Sequence, residues 1–74
     1  MQAIPPLPTL GASLKAIRKS AGMTLHQVCD IAGVSPTYLS RVENGHADPT
    51  SDWVSYVIVA IGSFLMERDK EQAA

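Results

Sequence analysis

The stretch from Thr24 to Gly45 carries more helix punctuation than any other part of the chain, and it limits the fold before composition is considered. Thr24 and Gln27 stand three apart, the spacing of a capping box, in which each side chain satisfies one orphan amide at a helix start. Val28, Ile31 and Ala32 supply apolar positions, and Gly33 can take the left-handed conformation that ends a helix after about two turns. Ser35-Pro36 opens the next helix: the serine hydroxyl caps, and proline at the first helical position needs no amide hydrogen. Leu39 and Val42, three apart, face inward, and Asn44-Gly45 stops the helix with two residues that tolerate positive φ.

The flanks add helices and no strand pattern, repeat or low-complexity tract. Leu10, Leu14, Ile17 and Ala21 recur at i, i+4, i+7 and i+11, an apolar stripe with Thr9 as N-cap and Gly22 as the stop. Lys15, Arg18 and Lys19 fall off that stripe or on its edge, so this first helix is expected to carry a basic outer side. Ahead of it, residues 1–9 hold Pro5, Pro6 and Pro8 and no charge, which predicts a flexible, extended arm. After a loop from His46 to Pro49, Thr50 caps a further helix with Asp52 in its first turn. From Trp53 to Ile61 that helix is apolar nearly all round, a pattern that calls for burial on most sides. Gly62-Ser63 either breaks it, with Ser63 capping a short fifth helix through Phe64-Leu65-Met66, or it runs on into a charged tail over 67–74. The fold class is all-α: a compact bundle of four to five short helices over residues 10–66, with a helix, a tight turn and a helix at its centre.

Composition then removes function classes. Seventy-four residues make one small domain, since a second core would need roughly 50 more. With 46% hydrophobic and 18% charged residues the chain fits a globular protein. A single cysteine, Cys29, excludes an internal disulfide framework and suits a reducing, cytoplasmic setting. It sits four residues before Gly33, where two helices cross and a small side chain is needed. MQAIPPLPTL has neither a basic nor an apolar signal-peptide region, and no run reaches the ~17–25 apolar residues of a membrane span. His26 and Cys29 are i, i+3, but with only distant His46 to join them they do not complete a metal site. No nucleophile with an oriented base and no glycine-rich phosphate loop appears, so no enzyme, metal, cofactor or small-molecule ligand is expected. Net charge is −1, yet it is unevenly spread. Up to Gly45, Lys15, Arg18, Lys19 and Arg41 outnumber Asp30 and Glu43 by two, whereas from His46 on the acids exceed the bases by three. A polyanion would be drawn to the first half and repelled by the second.

From about Leu10 to Ile61 the chain resembles the Cro/CI-type (XRE) helix-turn-helix regulators. The resemblance rests on LKAIRKSAGMT, the turn IAGVS, and YLSRVENG followed by a Pro-Thr helix start. It implies a lambda repressor-like domain whose third helix enters the major groove of double-stranded DNA. Ser35, Pro36, Thr37 and Tyr38 would then meet base edges and phosphates, and Arg41, one turn beyond Thr37, would grip guanine O6 and N7. Ser40 would face the groove edge or a phosphate, while Asn44 and the backbone around Gly45 and His46 resemble the family's phosphate clamp. Arg18 and Glu43 match a family pair that links the first and third helices; Arg18 could also reach a phosphate, as could Lys15 and Lys19.

Two departures stand out. Leu25 occupies a position where the family often has a phosphate-binding glutamine, which leaves Thr24, His26 and Gln27 as substitutes. The loop His46-Ala47-Asp48 lacks the usual lysine or arginine. The all-round apolar helix exceeds what one small bundle can cover, so a homodimer with contacts from Trp53, Tyr56, Val57 or Phe64 is expected. A two-fold dimer would present two recognition helices about 34–36 Å apart to a palindromic operator. These readings point to a sequence-specific transcriptional regulator, a Cro-like repressor of a phage or prophage. The alternatives are the antitoxin of a toxin–antitoxin pair and a protein-interaction module that has lost DNA.

Overall fold

A computed structural model describes residues 9–73. They form four helices in chain order: α1 (Leu10–Ser20), α2 (Leu25–Ala32), α3 (Pro36–Glu43) and α4 (Ser51–Ala73). All but the last residue of the arm expected over 1–9 lie outside the described residues. Thr9, that last residue, caps α1 by accepting a hydrogen bond from the Ala12 amide at 3.1 Å.

The boundaries follow the local chemistry closely. Thr24 Oγ1 accepts from the Gln27 amide at 3.1 Å, and Gln27 Oε1 accepts from the Thr24 amide at 2.7 Å, closing the capping box of α2. Gly33 ends α2 at φ 71°, and its amide donates to the Cys29 carbonyl. Ser35 caps α3 with Pro36 at its first position, and Asn44 closes it ahead of Gly45 at φ 79°. α1 stops at Ser20, with Ala21 as its cap and Gly22 taking the positive φ of 75°.

The core is built from Leu14, Val28, Leu39, Val42 and Val57, all essentially without solvent exposure, joined by Met23, Cys29 and Ile61. Each such aliphatic side chain contributes on the order of 1.5–3 kcal/mol by leaving water. Cys29 is buried, as a small residue at the crossing should be, and burial raises its thiol pKa, with Asp30 and Glu43 adding to the effect. α2 packs on α3 and α4, and α1 packs on α3.

Two helices are oriented differently from the apolar pattern. In α1 the inward face is Gly11, Leu14 and Arg18, whereas Leu10 and Ile17 are 49% and 44% exposed. The rotation has a steric and an electrostatic cause. A Cβ at Gly11 would overlap the Val42 carbonyl, so the start of α1 touches the end of α3 backbone to backbone. Two turns further on, Arg18 points inward to Glu43, which moves it from the expected basic outer side into the interior.

α4 differs more. Thr50 caps it, accepting from the Trp53 amide at 3.2 Å, and Asp52 lies in its first turn. The helix then runs unbroken for 23 residues, so no fifth helix starts at Ser63 and residues 67–73 of the expected tail are helical. Gly62 has nothing within 4 Å of where a Cβ would stand, and an isolated helical glycine costs only about 1 kcal/mol, too little to stop a helix alone. Arg68 anchors the far end by donating from Nη1 to the Ala21 carbonyl at 3.3 Å. Val57, Ala60 and Ile61 are buried, but Tyr56 and Val59 are 60% and 65% exposed, and Ile58 is exposed as well. The apolar helix is thus buried along one stripe and not on most sides.

Candidate nucleic-acid interface

α3 has one face for the core and one for solvent. Leu39, Val42 and Glu43 are buried. Thr37, Arg41 and Asn44 are exposed and Ser40 is half-buried; their i, i+4, i+7 and i+3 offsets set them along one stripe on the far side. Ser35 and Pro36 are exposed at the helix start, where the first-turn amides concentrate the positive end of the helix dipole. Ser35 Oγ accepts from the Tyr38 amide at 3.3 Å, so its first role is the cap.

The end of α3 is tied down by its own side chains. Asn44 Nδ2 donates to the Ser40 carbonyl at 2.8 Å. Arg41 donates from Nη2 to the His46 carbonyl at 3.2 Å, and the His46 amide returns a bond to the Arg41 carbonyl at 2.8 Å. Arg41 therefore lies along the turn, with the rest of its guanidinium turned to solvent and its charge on an exposed surface. His46 itself is exposed beyond the helix.

Behind this stripe, Arg18 and Glu43 fix α3 against α1. Arg18 Nε donates to Glu43 Oε2 at 2.8 Å and Nη2 donates to Oε1 at 2.9 Å, a two-point fork. Nη1 donates to the Met23 carbonyl at 2.9 Å, so all three guanidinium nitrogens are engaged inside the protein. The residues are 8% and 7% exposed, and the hydrogen bond to Glu43 raises the Arg18 pKa against the opposing effect of burial. The pair links the two helices, as the resemblance implied. Its burial takes Arg18 away from the exposed surface, where a phosphate contact would have needed it. Lys19 remains exposed on α1 and Lys15 is half-buried.

At the start of α2, Thr24 and Gln27 are exposed, and although their oxygens accept within the capping box, the Thr24 hydroxyl hydrogen and the Gln27 carboxamide NH2 can still donate outward. His26 is exposed while Cys29, three residues on, is buried, so the two do not share a surface. Among the described residues no cluster of three or more His, Cys, Asp or Glu could hold a metal, and no helix is long and apolar enough to cross a membrane.

The residues expected to join two copies separate into different environments. Val57 is in the core at 1% exposure and is corrected from a surface contact to a packing residue. Trp53 is half-buried, with its ring edge-to-face against Tyr38 at 5.1 Å between centroids and 81° between planes. Phe64 packs against the core, and Tyr56 alone of the four is broadly exposed. Tyr56 lines an apolar groove between α2 and α4 together with Ile31, Val59, Ala60 and Ser63. Sequence reasoning missed Gly11, Arg68 and the Tyr38–Trp53 pair, because each acts through a partner far away in the sequence and no local signal marks it.

Comparison with known proteins agrees with this geometry. The helix-turn-helix family model matches residues 14–52, from the core position Leu14 to the first turn of α4. The transcriptional regulator ClgR of Mycobacterium tuberculosis, from strains CDC 1551 / Oshkosh and ATCC 25618 / H37Rv, is 40% identical over 52 residues. That alignment takes in 70% of this chain and 46% of the relative, so the chain spans about half the length of the curated relatives it matches. The crystal structure of the clp gene regulator ClgR from C. glutamicum superposes with a TM-score of 0.69 at 33% identity, covering 86% of this chain and 92% of that one. With its paired short helices, glycine corner and Arg18–Glu43 lock in place, the chain belongs to the helix-turn-helix family of the XRE type.

Proposed function

We propose that this protein is a DNA-binding transcriptional regulator that reads duplex DNA with the outer stripe of α3. The observation that carries the reading is the division of α3 into two faces: Thr37, Ser40, Arg41 and Asn44 point outward while Glu43 is locked inward by Arg18. A helix clamped on one side and polar on the other meets the requirement for major-groove readout, which is rigid placement of a few donors and acceptors. Arg41 releases the His46 carbonyl and grips a guanine edge; Thr37 offers its hydroxyl, or its methyl to thymine. Ser35, Pro36, Tyr38 and Ser40 lie along the groove wall, and Asn44, His46, Lys19, Gln27 and Thr24 bind phosphates on either side. Arg18 is the positioning residue behind them. In this reading the protein acts by binding nucleic acid in the cytoplasm.

A homodimer completes this reading. Tyr56, Val59 and Ile31 expose apolar surface that a second copy covers, and a two-fold pair sets two α3 helices on a palindromic operator. In this reading the dimer represses by occupying a promoter, in the manner of a Cro-like phage switch. The same apolar face supports a second reading, an antitoxin whose α4 surface covers a toxin.

Fluorescence anisotropy with the duplex upstream of the protein's own gene tests the function against a scrambled duplex of equal length. Binding of the first should be at least about tenfold tighter, and the logarithm of its affinity should fall linearly with the logarithm of salt concentration. Equal affinity for the two duplexes contradicts sequence-specific reading. Sedimentation at micromolar concentration separates the dimer from a monomer, and a small protein that co-purifies in stoichiometric amount favours the antitoxin.

A further inference from the structure

We propose that Trp53 is a positioning residue for the recognition helix, acting through Tyr38 to set where the start of α3 lies. The proposal rests on α3 being the DNA-reading element. Backbone packing holds α3 against α1 and α2, while α4 packs chiefly on α2. The starts of α3 and α4 are joined by an aromatic contact, Tyr38 against Trp53, with ring centroids 5.1 Å apart and planes at 81°.

The two rings occupy equivalent places. Ser35 caps α3 and bonds the Tyr38 amide; Thr50 caps α4 and bonds the Trp53 amide. Each ring is therefore borne by the third residue of a helix whose first turn is already fixed by its own cap. Both side chains are half-buried against the core, and the edge-to-face angle is the arrangement that the ring quadrupoles favour. The chain between the two helices, from Asn44 to Thr50, contains Gly45 at φ 79° and no regular element. The aromatic contact thus restrains an angle that the loop alone leaves loose. Base readout tolerates little misplacement, whereas phosphate contacts carry no sequence information. Removing the Trp53 ring should reduce sequence preference and leave general affinity for DNA in place.

The test compares anisotropy titrations with the preferred and the scrambled duplex, on variants shown by circular dichroism to be folded. Trp53→Leu keeps apolar bulk and removes the ring. Its preference for the specific duplex should fall about three- to tenfold, with scrambled-duplex affinity and salt slope unchanged. Trp53→Phe restores most of the preference, and Trp53→Leu combined with Tyr38→Leu is no worse in preference than Tyr38→Leu alone. An intact preference in Trp53→Leu overturns the proposal, and so does an equal loss on both duplexes, which marks a plain core residue. If Trp53→Leu does not fold, the unaltered protein still decides, because Trp53 is its single tryptophan. Its emission should change more on adding the preferred duplex than the scrambled one, and an equal response overturns the proposal. A wild-type protein that does not discriminate between duplexes brings down the DNA reading itself, whereas discrimination that survives Trp53→Leu brings down only this inference.

Discussion

α3 and α4 differ in how they are specified. α3 is 8 residues long, starts at Ser35-Pro36, stops at Asn44-Gly45, and is held from behind by a two-point ion pair. α4 is 23 residues long, passes through Gly62 without stopping, and leaves Tyr56, Ile58, Val59 and Met66 exposed. The short helix is fixed by local capping and by one charged partner, so nearly every position in it has an assigned role. The long one is fixed along one stripe, with Val57, Ala60 and Ile61 buried and Trp53, Val54, Phe64 and Leu65 packed beside them, and its opposite face is uncommitted within one chain. Rigid placement belongs to the element proposed to read DNA, and spare apolar surface to the element that a second molecule can cover.

The comparison breaks most readily at the lock behind α3. Glu43→Ala leaves the Arg18 guanidinium buried without its carboxylate, at a cost of about 3–5 kcal/mol, enough to unfold a domain of this size at moderate temperature. Thermal denaturation followed by circular dichroism measures it; a loss below about 1 kcal/mol would show that the pair does not hold α3. Gly11→Ala comes next, because its Cβ meets the Val42 carbonyl and backbone must shift, a change of about 1–3 kcal/mol by the same measurement. An unchanged melting temperature would mean that α1 and α3 do not approach as closely as described.

α4 should respond in the opposite way. Gly62→Ala removes a helical glycine with open space around it and should stabilise the fold by roughly 0.5–1 kcal/mol, where a break at this point would make the substitution neutral or harmful. Val59→Asp places a charge on an exposed position, so the fold should change by less than about 0.5 kcal/mol while self-association is lost in sedimentation. A Val59→Asp protein that still sediments as a dimer moves the interface off the α2–α4 groove.

Local chemistry was legible wherever a single residue decides a backbone conformation. Thr24 with Gln27, Gly33, Ser35 with Pro36, and Thr50 each act through bonds to neighbours within four residues, and each lies at the boundary that its chemistry indicates. Orientation was less legible. Leu10 and Ile17 mark an apolar stripe on α1, yet the inward direction is set by a missing side chain at Gly11 and a charge at Arg18, and hydropathy counts neither as core. The Arg18–Glu43 contact spans 25 residues and came from family resemblance, since no periodicity links residues so far apart. Trp53 and Val57 illustrate the same limit on α4: four residues apart and both apolar, Val57 is sealed in the core while Trp53 meets Tyr38 edge-to-face, a division that only the packed neighbours decide.

The central claim is that Arg41 on the outer face of α3 touches bases. Arg41→Ala, titrated against the preferred and scrambled duplexes at one salt concentration, tests it most directly. Specific affinity should fall by about 1–3 kcal/mol, roughly five- to 150-fold, with a much smaller loss on the scrambled duplex. Equal losses on both duplexes, or none on either, would contradict it.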